Sequence, residues 1–232
     1  CKHNPSPFAA YLDTDSGAIV SASPEMFVTI AGGEISTCPI KGTRPRLAPD
    51  TSQAVVQNEI NCRLLENCEK EKAELNMIID LERNDLGRIC LPGSIRVTSP
   101  RSVVPYPTVF HALATITGRL RDHITFSDIL KAAFPGGSIT GAPKIRAMEI
   151  IDSLEKEPRG IYTGSIGFIT PHWSACLNIA IRTVIIRSGA AFLRVGSGIV
   201  ADSDPLREWD ETLAKALALV NGIENCKPKG CK

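Results

Sequence analysis

Residues 175–200 read ACLNIAIRTVIIRSGAAFLRVGSGIV. Two β-prone runs, ACLNIAIRTVII and AAFLRVGSGIV, follow one another with only RSG between them, leaving no room for a helix. A third run, IYTGSIGFI, precedes them, and LREWDETLAKALALVNGI follows as a helix. At the other end, PFAAYLD, AIVSAS, MFVTIAG and EISTCPI are short β-prone runs separated by the turn signals TDSG, SPE and GG. Between the two ends the pattern turns helical from about Thr51 to Asp85, with Val56, Ile60, Leu64, Leu65, Leu75, Ile78 and Ile79 at helical spacing. Strands return at GSIRVTS and TVFHALATITGRL; FSDILKAAF and GAPKIRAMEIIDSLEKE read as a short and a longer helix. Strands grouped at both ends, with helices between and after them, predict an α+β fold rather than alternating βαβ units. No repeat or linker divides the chain, so residues 1–222 read as one domain and 223–232 as a flexible tail.

The 232 residues are 43% hydrophobic and 22% charged with a net charge of +1, which gives no basic excess for nucleic acid. No apolar run is long enough to cross a bilayer, and CKHNPSPFAA at the start contains no secretory apolar segment. Eight cysteines form no CxxC pair, which favours scattered reduced thiols over a zinc site. The expectation is a cytoplasmic protein with neither nucleic-acid nor membrane partners.

Chemistry concentrates in a few stretches. CPIKGTRPR, residues 38–46, sets Lys41 among backbone-restricting Pro39, Gly42 and Pro45 and the forked donors Arg44 and Arg46. It reads as a rigid turn in which Lys41 is either a third charge for an acidic ligand or a reactive amine. Glu71 and Glu74 lie three residues apart, as do Glu208 and Glu211, so each pair shares a helix face. Two such faces together make an oxygen cage suited to Mg²⁺; the alternative is a solvated face paired with Lys70, Lys72 and Lys215. FPGGSITGAPK, residues 134–144, offers backbone N–H groups, two hydroxyls and Lys144 to an anion, without P-loop spacing. Arg182 is a cation in an apolar strand, answered by either a ligand carboxylate or a structural acid. His111 lies in an apolar strand as a core residue or a functional one, and Glu25 in the SPE turn is a cap or a general acid.

SASPEMF, PIKGTRPR, KAELNMIIDLERNDLGR, FPGGSITGAPKIRAMEIIDSLE, RGIYTGSIGF, IAIRT and GSGIVADSDPLREWDET occur in this order. Together they resemble the chorismate-binding domain shared by anthranilate, aminodeoxychorismate, isochorismate and salicylate synthases, from about Asn4 to Gly222. The resemblance implies two packed β-sheets with helices outside. It implies Mg²⁺ approached by Glu74 and Glu211 with Glu71 and Glu208 in support, and chorismate carboxylates held by Arg182, Tyr162, Lys215 and the backbone at Gly196 and Gly198. Ser138 matches a substrate-contacting position, and His111 a histidine near the departing hydroxyl. PIKGT is similar to the aminodeoxychorismate-forming branch, whereas anthranilate-forming enzymes usually carry PIAGT. In that branch the lysine attacks the ring, and Glu25 matches the acid that helps the hydroxyl leave. Ammonia would arrive directly or from a glutamine amidotransferase subunit. Family domains carry strands upstream of NPSPF, so a fragment lacking its N-terminal strands is expected.

Overall fold

The computed structural model describes residues 6–224, which form two compact units. The first is built from the described parts of Cys1–Pro24, Arg159–Ile166 and Ala180–Lys232. Its sheet contains β1 (Phe8–Thr14), β2 (Gly17–Ser23), β10 (Thr183–Arg187) and β11 (Ala190–Leu193), in the order β1-β2-β10-β11, antiparallel throughout. Ser21 and Thr183 are buried polar residues on adjacent strands, and their hydroxyls satisfy one another at 2.9 Å. The helix α5 (Pro205–Glu224) completes the unit. Most of the proposed tail, from Asn225 on, lies outside the described residues.

The second unit takes Glu25–Pro158 and Gly167–Ile179. Its strands are β3 (Met26–Ala31), β4 (Glu34–Cys38), β5 (Ile40–Pro45), β6 (Arg96–Pro105), β7 (Val109–Arg119), β8 (Gly167–Ile169) and β9 (Ala175–Asn178). They run in the order β5-β7-β4-β3-β9-β8, with β6 also paired to β7. Its helices are α1 (Ser52–Glu66), α2 (Glu69–Gly87), α3 (Phe126–Ala133) and α4 (Lys144–Leu154). Thr51 caps α1 through the Ala54 amide, and Thr125 with Asp128 forms a capping box on α3. Leu75, Ile78, Ile79 and Leu86 are buried along one face of α2, each stabilising by about 1.5–3 kcal/mol. Among the described residues no helix is long and apolar enough to cross a membrane.

Two antiparallel sheets with helices agree with the predicted fold class. Four local readings differ. The helical stretch after Thr51 is two helices that meet at Asn67 and Cys68. Of the four apolar positions read from the sequence on α1, one is buried. Leu65 packs against Phe110 and Ala112, whereas Val56, Ile60 and Leu64 are exposed. ACLNIAIRTVII is not one strand. β9 ends at Asn178 in the second unit's sheet, and β10 begins at Thr183 in the first unit's sheet, after Arg182 turns the backbone to φ 50°. IYTGSIGFI contributes only Gly167–Ile169 as strand; Arg159–Gly164 form turns, with Thr163 at φ 63°.

Candidate functional site

In the second unit the site is organised by β5. CPIKGTRPR is a strand across Ile40–Pro45 rather than a turn, paired to β7 with Ile40 opposite Leu113 and Thr43 opposite His111. The register slips between Ile40 and Thr43, and Lys41 and Gly42 occupy the slip. Such a bulge re-aims the side chain it carries and absorbs a glycine that would otherwise break the strand. Gly42 sits at φ 95°, and a Cβ there would fall 2.8 Å from both Glu71 Oε2 and Leu65 Cδ1. Only glycine fits. Lys41 is half-buried, and among the described residues no hydrogen bond or ion pair holds it.

The rest of β5 anchors the other predicted groups. The Ile40 amide donates to Glu25 Oε1 at 3.3 Å, holding a carboxyl that is 5% exposed. Thr43 Oγ1 bonds His111 Nδ1 at 2.9 Å, and Tyr106 packs edge-on against the imidazole at 5.2 Å. Arg44 reaches α2 and pairs with Glu71 Oε1 at 2.8 Å. Glu25, Lys41, His111 and Glu71 are thus all tied to one strand or carried on it. Among the described residues, Glu71 Oε2 is buried without a hydrogen-bond partner, as is Ser138 Oγ in the 3₁₀ turn Gly137–Ile139. Glu74, on the next turn of α2, meets Lys70 only loosely, at 3.9 Å.

Lys144 does not serve an anion as predicted. Its ammonium contacts Asp85 Oδ2 at 2.5 Å, the Ala133 carbonyl at 2.8 Å and the Pro135 carbonyl at 2.7 Å, which uses all three protons. Beside it, burial pushes the Glu82 carboxyl up to about 8, against a pull from the Thr37 hydroxyl, which donates to Oε2 at 2.9 Å. This polar cluster went unnoticed in the sequence. Its signal was Glu82 falling on the same α2 stripe as Leu75, Ile78, Ile79 and Leu86.

The first unit carries the remaining predicted residues. Lys215 on α5 pairs with Glu211 Oε1 at 2.7 Å and donates to the Gly196 carbonyl at 3.1 Å. The Tyr162 hydroxyl lies so close to Gly196 that a Cβ there would come within 2.7 Å of it. Glu208 accepts hydrogen bonds from Ser197 and Ser203, whereas Gly198 in the same loop is exposed. Arg182 is half-buried, with its backbone carbonyl accepting from the Ala22 amide at 3.0 Å.

A divalent cation was predicted from the four glutamates. Among the described residues no three ligand-type side chains converge as a finished cage. The orphaned oxygen of Glu71 is nonetheless the kind of acceptor that a hard cation satisfies, and the acceptor-only carboxylate set suits Mg²⁺. The Glu71–Glu74 pair therefore fits. In the first unit, Glu208 is engaged by hydroxyls and Glu211 by Lys215.

Residues 1–221 match the protein family described as chorismate binding enzyme. The chain is 46% identical over 222 residues to aminodeoxychorismate synthase component 1 of Klebsiella aerogenes, covering 96% of this chain and 48% of that protein. It is 44% identical over 221 residues to anthranilate synthase component 1 of Aquifex aeolicus, covering 95% and 44%. The crystal structure of anthranilate synthase component I from Streptococcus pneumoniae TIGR4 superposes with a TM-score of 0.81 at 38% identity, covering 93% of this chain and 46% of that one. The chain spans about half the length of these relatives.

Proposed function

The chain belongs to the family of chorismate binding enzymes, and from that premise we propose that it aminates chorismate to 4-amino-4-deoxychorismate. One observation carries the choice of product: the second unit holds Lys41 half-buried in the bulge of β5, with no partner among the described residues to occupy its amine. A lysine used only as a fixed charge is normally met by an acid; a nucleophile must be left free.

In this reading the Lys41 amine attacks ring carbon two, the double bond shifts, and the carbon-four hydroxyl departs. Glu25 gives that hydroxyl a proton so that it leaves as water, and His111, fixed by Thr43, lies near the departing group. Ammonia then adds at carbon four, the double bond returns, and Lys41 is released as the free amine. Arg182, Tyr162, Lys215 and the backbone at Gly196 and Gly198 hold the carboxylates, and Ser138 offers its unpaired hydroxyl. Glu71, Glu74, Glu208 and Glu211 would hold Mg²⁺, which when bound offers Lewis-acid polarisation of the departing oxygen. A glutamine amidotransferase partner is the proposed source of ammonia, and the cytoplasm the proposed location.

Relatives named for anthranilate synthesis are equally similar, so the product decides between the two. Incubation of the intact enzyme with chorismate, ammonium and Mg²⁺ is expected to yield aminodeoxychorismate. Anthranilate, or no product, overturns the assignment.

A further inference from the structure

Ser138 sits at the centre of the short turn Gly137–Ile139, between α3 and α4 in the second unit. The two glycines before it are pressed by different neighbours. A Cβ on Gly136 would come within 2.9 Å of Ile179 Cδ1. One on Gly137 would come within 3.1 Å of Leu81 Cδ2 and 3.2 Å of Glu82 Cγ, both on α2. Close approach, rather than a positive φ, is what asks for glycine at both positions. Thr140 closes the turn, its hydroxyl donating to the Gly136 carbonyl at 2.9 Å.

Packing sets the turn against α2, and one ammonium fastens it there. Lys144, the first residue of α4, donates to the Ala133 carbonyl at 2.8 Å, the Pro135 carbonyl at 2.7 Å and Asp85 Oδ2 at 2.5 Å. Ala133 ends α3, Pro135 leads into the turn, and Asp85 lies near the end of α2. The two side chains are 13% and 7% exposed. Burial raises the Asp85 carboxyl, and Lys144 draws it back down. With three protons on three acceptors, Lys144 has none left for a ligand. Ser138 is the opposite case, because its hydroxyl oxygen is buried with no hydrogen-bond partner among the described residues. A buried hydroxyl held in that state calls for a partner that the chain itself does not supply. We propose that Lys144 is a positioning residue. Its ammonium clasps the turn that carries Ser138 to α2, the helix that carries Glu71 and Glu74, so that the hydroxyl meets chorismate in one fixed place. The inference rests on the substrate contact given to Ser138 above.

The test is a cycle of variants in the intact enzyme, read as kcat and KM for chorismate consumption with ammonium and Mg²⁺. Removing Lys144 alone would strand Asp85 as a buried unpaired charge, so Lys144→Met is combined with Asp85→Asn, and circular dichroism checks the fold. Ser138→Ala and this clasp variant should each raise KM roughly tenfold, the scale of one hydrogen bond to a charged ligand, with kcat changed little. All three substitutions together should raise KM no further, because a displaced turn has no contact left to lose. A merely structural loss is independent of Ser138, and the two effects would then multiply to about a hundredfold. That result overturns the clasp, as does a clasp variant with normal KM. Asp85→Asn alone, which keeps the shape and a neutral acceptor, should raise KM roughly threefold, again without adding to Ser138→Ala. Additive losses there overturn the proposal equally. Ser138→Ala with normal KM is a different failure, since it removes the contact given to Ser138 and the clasp's role with it. The product assignment stands apart, because chorismate consumption does not depend on which amine is formed.

Discussion

Replacing Glu82 by Gln should stabilise the protein, and by more as the pH rises. In the unfolded chain a glutamate titrates near its ordinary value of 4.5; in the fold, burial raises Glu82 to about 8. Between these values the folded state binds one more proton than the unfolded state. Stability therefore falls with rising pH, at up to about 1.4 kcal/mol per unit, and levels off above the folded value. From pH 5.5 to 7.5 the loss assigned to this side chain is about 2.5 kcal/mol. Glu82→Gln abolishes the titration while retaining a partner for Thr37, so its advantage over wild type should widen by that amount across the same interval. In a chain of this size that corresponds to roughly 5–10 °C in Tm. The assay is urea unfolding at pH 5.5, 6.5 and 7.5, followed by tryptophan fluorescence. Trp173 lies in the same unit as Glu82 and Trp209 in the other, so a shared Trp209→Phe background confines the signal to the relevant unit. Parallel pH slopes in the two proteins would refute the reasoning.

Glu74→Gln or Glu211→Gln should abolish Mg²⁺-dependent turnover and weaken Mg²⁺ binding in calorimetry, with the circular dichroism spectrum unchanged; normal Mg²⁺ affinity in both removes the metal assignment. Arg182→Ala should weaken chorismate binding by roughly 10- to 100-fold, the scale of a lost charge-assisted carboxylate contact, and unchanged affinity would make Arg182 structural. Gly42→Ala should destabilise the second unit by more than about 1 kcal/mol, because the methyl group meets Glu71 Oε2 and Leu65 Cδ1 at 2.8 Å with φ at 95°. A neutral substitution there would mean that β5 relaxes without cost.

Much of the candidate site can be named from the sequence because its proposed chemistry depends on residue type. Lys41, Glu25 and the glutamate pairs stand out by kind and spacing, whatever the backbone does around them. The backbone was harder. Gly42 and Pro45 read as turn formers, yet the bulge absorbs the glycine and the proline closes the strand, so a rigid turn became β5. The passage from β9 to β10 left no local sign, because Ile179–Arg182 has no glycine or proline and the change of sheet is a matter of tertiary pairing. Val56, Ile60 and Leu64 announced a helix correctly but not its buried face, which Leu65 decides through Phe110 and Ala112. In the sequence Glu82 is one charge among many on α2, and only its place on the apolar stripe marks it as buried.

The role of Lys41 as nucleophile is tested most directly by trapping the enzyme halfway. With chorismate and Mg²⁺ present and ammonia withheld, the intact enzyme should accumulate a covalent adduct equal to chorismate less water. Mass spectrometry of the whole protein should show the increase, and peptide mapping should place it on Lys41 within CPIKGTRPR. Lys41→Ala should show no adduct, and Lys41→Arg should not turn over, since a guanidinium stays protonated and cannot attack. An enzyme that forms no adduct yet remains active as Lys41→Arg would contradict the account and reduce Lys41 to a fixed positive charge.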